Sequence, residues 1–72
     1  MTLPARDRAE TAIALRLANH SWAQVSAAAG FSNRTTARRA VRREIDRRER
    51  TATEDLESAR ALRRRVFGGG QS

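Results

Sequence analysis

Gly30 divides the chain at its most informative point. Before it, "SWAQVSAAA" is built from small, nearly uncharged residues; after it, "FSNRTTARRAVRR" carries arginine at almost every second position. Glycine readily takes the positive φ at which a helix stops. The apolar residues on both sides recur every three to four positions, the period of a helix face. Four helical segments can be read along the chain, and no strand. The expected fold class is all-α.

Length and composition narrow the functions open to such a chain. Seventy-two residues make one small domain with a modest core. There is no cysteine and one histidine, His20, so neither disulfides nor a protein-built metal site is expected. No paired acids, no nucleophile beside a base and no phosphate-cradling glycine loop is visible, so the expectation is a non-enzymatic protein without a cofactor. The start "MTLPARDRAE" is charged and lacks an apolar h-region, and no apolar run approaches the length of a membrane span. A cytoplasmic location, with no membrane partner, follows as the expectation.

The charge is unevenly placed. The net charge is +7, and all fifteen basic residues are arginine. Residues 1–33 sum to +1, 34–50 to +5, 51–58 to −3 and 59–72 to +4. A patch of this kind attracts polyanions, and the planar guanidinium fork suits phosphate oxygens and guanine edges.

Local signals divide the chain into three parts. Ala9, Ala12, Ile13 and Leu17 mark one face of a first helix over about residues 4–18, which Pro4 can open. Asn19 tolerates the left-handed conformation that ends helices, and Ser21 with Gln24 forms a capping box for a second helix over Trp22 to Ala29. Ser32 or Asn33 caps the third helix, whose stripe is Ala37, Ala40, Val41 and Ile45. Thr51 and Glu54 read as a second capping box, opening a fourth helix with the seam Ala52, Leu56, Ala59, Leu62 and Val66. Whether the third and fourth helices form one rod through "DRRERTAT" stays open. The division is therefore a domain over 1–50, a C-terminal helix over 51–67 and a flexible tail over 68–72.

A short helix of small residues, a glycine turn with Phe31 as an apolar plug, and a second helix with cations on its outer face is the pattern of a helix-turn-helix. Ser26 and Ala29 permit the close crossing of the two helices. The candidate DNA-binding residues are Asn33, Arg34, Thr35, Arg38, Arg39, Arg42 and Arg43. Asn33, Arg34, Thr35 and Arg38 sit early enough to reach bases, while Arg39, Arg42 and Arg43 reach the backbone. For Asn33 the cap is favoured over an adenine contact. Trp22 reads as a packing residue clamping the first helix to the second, and Glu44, Asp46 and Glu49 as partners for Arg48, Arg50 and neighbouring arginines. Leu56, Ala59, Leu62 and Val66 are assigned to oligomerisation; the same seam would also serve a partner protein or fold back onto the core.

The run "SWAQVSAAAGFSNRTTARRAVRREIDR", with "ALRLANH" before it and "TEDLESARAL" after it, resembles the small helix-turn-helix proteins of actinobacterial phages and prophages, many of them terminase small subunits. The likeness covers residues 8 to about 62. It implies a DNA-recognition domain followed by an oligomerising helix, without catalytic activity, marking viral DNA in the host cytoplasm for a packaging motor. The implied partners are double-stranded DNA, further copies of the chain, and a large terminase subunit or another phage protein. A transcriptional regulator or a recombination accessory factor would use the same surface. A helical protein-interaction module that binds no nucleic acid is the alternative of another class.

Overall fold

The computed structural model describes residues 4–52 and 55–67, and these form four helices: α1 (Ala5–Leu17), α2 (Trp22–Ala29), α3 (Arg34–Thr51) and α4 (Leu56–Phe67). The chain is an all-α bundle, as its apolar periodicity requires. Each corner has a local cause. Asn19 takes a φ of 70° after α1, and Ser21 and Gln24 then exchange both bonds of the capping box, at 3.1 and 2.9 Å. Gly30, at φ 86°, ends α2, and the Phe31 N–H donates back to the Ser26 carbonyl at 2.9 Å. A side chain at position 30 would be strained by that φ. Asn33 caps α3: its Oδ1 accepts from the Thr36 N–H at 2.9 Å and from the Thr36 hydroxyl at 3.1 Å.

One core joins all four helices. Ala12 and Ile13 of α1, Val25 and Ala29 of α2, Ala37, Val41 and Ile45 of α3, and Val66 of α4 form its buried centre. Leu15, Leu17, Trp22, Phe31, Leu62 and Phe67 pack around it. Val25, Val41, Ile45 and Val66 are its largest fully buried side chains, each contributing roughly 1.5–3 kcal/mol of transfer free energy.

The end of α3 corrects the expected second capping box. Thr51 is the last residue of α3, and its hydroxyl donates back to the Arg47 carbonyl at 2.9 Å. A residue still inside α3, five positions before α4 begins at Leu56, cannot be the N-cap of α4. Ala52 is extended, at ψ 123°, so α3 and α4 are separate helices. The Ala59 N–H donates to the Asp55 carbonyl as α4 begins. Glu54 and the tail over 68–72 lie outside the described residues.

Helix α4 returns antiparallel along α3. Arg63 pairs with Asp46 and Glu49, while Phe67, one turn on, lies under Arg42. Within the single chain this placement turns Leu62 and Val66, two of the four residues Leu56, Ala59, Leu62 and Val66 assigned to oligomerisation, onto the core. Val66 is fully buried within the single chain, Ala59 is buried, and Leu56 and Leu62 are half-buried. A bundle this small covers its core by recruiting the thin apolar stripe of α4. Folding back, one of the three readings of the seam, is what the single chain shows.

Candidate nucleic-acid interface

Helix α3 changes character halfway along. From Arg34 to Arg43 it carries five arginines and no acid; from Glu44 to Thr51 it carries three of each. The acids of the second half are all engaged. Glu44, 7 % exposed, accepts from Arg47 at 2.7 Å and from Arg48 at 3.0 Å. Arg48 also reaches Glu10 of α1, and Arg63 of α4 holds Glu49 at 2.8 Å together with Asp46. The Arg47 hydrogen bond, seconded by Arg48, holds the Glu44 carboxyl below the ordinary glutamate range against the opposing effect of burial. The Arg63 hydrogen bond does the same for Glu49. Sequence spacing alone anticipated pairing within α3; Asp46 and Glu49 instead serve α4, and Arg50 has no ion pair among the described residues.

The first half is the reverse. Arg34, Thr35, Arg38, Arg39, Arg42 and Arg43 are all exposed, and none of these arginines has a carboxylate partner among the described residues. At 100° per residue, Thr35 and Arg39 point directly away from the buried stripe, with Arg42 and Arg38 on one flank and Arg43 on the other. The helix also starts without an acidic residue in its first turn. Placing Arg34 there opposes the helix dipole, which favours anions at that end, so the start of α3 adds its positive potential to that of the side chains. Asn33 is exposed beside them; its Oδ1 is committed to the cap, leaving only the amide nitrogen for an outside acceptor.

Two of these arginines are held by aromatic rings, a feature that sequence reasoning missed. Trp22, at the start of α2, stacks on Phe67 at the end of α4, with ring centroids 5.5 Å apart. The Arg38 guanidinium lies 5.9 Å from the Trp22 centroid, and that of Arg42 5.8 Å from Phe67. Arg16 of α1 covers Trp22 at 4.7 Å, and its Nε and Nη2 donate to the Val66 carbonyl at 3.1 and 2.9 Å. Its Nη1 donates to the His20 carbonyl at 2.8 Å. Trp22 thus clamps α2 to α4 as well as to α1. No sequence signal pairs Trp22 with Phe67; only the return of α4 brings them together.

The remaining chemistry is sparse. Among the described residues no group of three His, Cys, Asp or Glu side chains is placed to hold a metal ion. No described helix is long and apolar enough to cross a membrane. His20 lies in the turn between α1 and α2, its Nδ1 3.1 Å from the Leu15 carbonyl. What the arrangement offers is a rod with an exposed guanidinium face, rigidly backed by a core. Comparison with family models, with curated proteins and with solved structures finds no match to this chain, so the site is characterised by its own geometry.

Proposed function

We propose that the chain binds double-stranded DNA with the first half of α3 in the major groove. One observation carries this reading: five exposed guanidiniums, free of carboxylates, occupy Arg34 to Arg43, while every acid of the same helix lies beyond them and is paired. A face evolved only for solubility mixes both signs. A helix with its side chains is about 10–12 Å across, close to the roughly 12 Å width of the major groove.

The test uses Arg34 and Arg39, which make no contact with an aromatic ring or a carboxylate among the described residues. Duplex affinity of the parent chain falls linearly with log[salt], by a slope of about −0.9 per phosphate neutralised. Arg34→Ala with Arg39→Ala weakens binding by about tenfold or more, with unchanged helicity by circular dichroism. Absence of salt-dependent duplex binding by the parent would leave the chain as a helical protein-interaction module.

The finer role, marking viral DNA for packaging, rests on the likeness of residues 8 to about 62 to phage terminase small subunits. Co-purification with a large terminase subunit from the same genome tests it. Binding confined to promoter-type duplexes, with no such partner, assigns the same surface to regulation.

A further inference from the structure

The flank of α3 opposite Arg38 and Arg42 opens on a groove of about 440 Å³ against α1. Arg6 of α1 and Arg43, Arg47 and Arg50 of α3 stand around it, and Ala9 and Ala40 lie at its base. The one carboxylate on its wall is Glu44, already bonded to Arg47 and Arg48. Arg6, Arg43 and Arg50 are exposed and have no ion pair among the described residues. The groove is therefore strongly cationic, with a shallow base of methyl groups.

We infer that this groove is the cradle for the sugar-phosphate backbone of one DNA strand. The inference rests on the DNA-binding reading and extends it to residues outside the reading face. A helix lying in the major groove has a strand on each side. On one side of α3 stand Arg38 and Arg42; on the other stand Arg43, Arg47 and Arg50, three to four residues apart and so aligned along a single flank. Arg6 adds a cation from a second helix, fixing the angle at which α1 meets the same strand. An open trough suits a polymer passing across it, the alanines let the backbone approach closely, and guanidinium forks match phosphate oxygens two at a time. Arg43 belongs both to the reading helix and to the groove, so the two surfaces are continuous. That continuity favours a nucleic-acid strand over an acidic peptide.

Phosphate contacts carry salt dependence without sequence information, which sets the experiment. A duplex selected by the parent from a random library serves as cognate, and affinity for it and for a scrambled duplex is measured across salt for the parent, for Arg6→Ala with Arg50→Ala, and for Arg60→Ala with Arg65→Ala. The last variant removes the same net charge from exposed positions on α4. The groove variant is expected to lose about 1.8 from the magnitude of the salt slope, two contacts at about 0.9 each. Its ratio of cognate to scrambled affinity stays unchanged, and the α4 variant keeps the parent slope. An unchanged slope in the groove variant, or an equal loss in the α4 variant, overturns the cradle while leaving DNA binding in place. A parent that binds neither duplex overturns both. Loss of binding to a poly-glutamate peptide at an unchanged DNA slope would assign the groove to an acidic protein segment instead.

Discussion

Trp22 and Phe67 lie parallel to within 21° at a centroid separation of 5.5 Å, joining the start of α2 to the end of α4. The two rings lie beneath the guanidiniums of Arg38 and Arg42, so the packing of α4 places aromatic faces under two arginines of α3. Phe67→Ala removes a half-buried ring from the edge of the core, with an expected cost of about 2 kcal/mol. Unfolding followed by Trp22 fluorescence measures that cost directly, because Trp22 is the only tryptophan. A variant with the parent's unfolding midpoint would show that the stack contributes no stability.

Asn33 separates stability from binding. Asn33→Ala removes the acceptor for the Thr36 N–H, at an expected cost of about 1 kcal/mol. Asn33→Asp retains an acceptor and favours the helix dipole, so stability is kept or raised. The same substitution places a negative charge beside Arg34 and is expected to weaken duplex binding severalfold at low salt. Denaturant titration and fluorescence anisotropy on the two variants read the two effects independently.

Glu44 gives the fold an acid-sensitive joint. Its carboxyl titrates below the ordinary glutamate value because Arg47 and Arg48 donate to it. A group whose pKa is depressed by folding stabilises the native state fully above its unfolded pKa, and loses that contribution as pH falls through the folded value. Stability is therefore expected to fall as pH drops below about 4.5, the ordinary glutamate value. Glu44→Gln should be less stable than the parent near neutrality and show a shallower decline over the acid range. Parallel acid-range profiles for the two chains would exclude the joint.

Val66 distinguishes a core role from an intermolecular one. It is fully buried beside Val25, Val41 and Ile45, and Val66→Ala is expected to cost about 2 kcal/mol. The loss should be independent of protein concentration. A melting temperature that rises with protein concentration in the parent, and no longer does so in the variant, would return Val66 to an interface between chains.

The turns and the arginine face of α3 were legible because their causes are local. The Ser21–Gln24 capping box, the left-handed Asn19, the positive φ of Gly30 and the Asn33 cap each depend on residues within a few positions of one another. The exposure of Thr35, Arg38, Arg39, Arg42 and Arg43 follows from the 3.6-residue period once Ala37, Val41 and Ile45 are buried, and that of Arg34 from its place at the start of α3. Other features depend on contacts between distant segments. A stripe of Ala59, Leu62 and Val66 has the same appearance in sequence whether it meets another chain or its own core, and only the fold shows Leu62 and Val66 against the core of the single chain. Thr51 reads equally as the cap of one helix and as the last residue of the one before. Arg16, Arg48 and Arg63 look alike among fifteen arginines, although each ties two helices together.

The abrupt switch at Glu44 also fixes a length. From Arg34 to Arg43 the helix advances about 14 Å, which at roughly 3.4 Å per step would span about four base pairs in the proposed role. A word that short recurs on the order of once in a few hundred base pairs of random genome. Under the proposed DNA-binding role, discrimination at a single such word is therefore weak, and selective occupancy calls for clustered copies of it or for a locally unusual duplex shape.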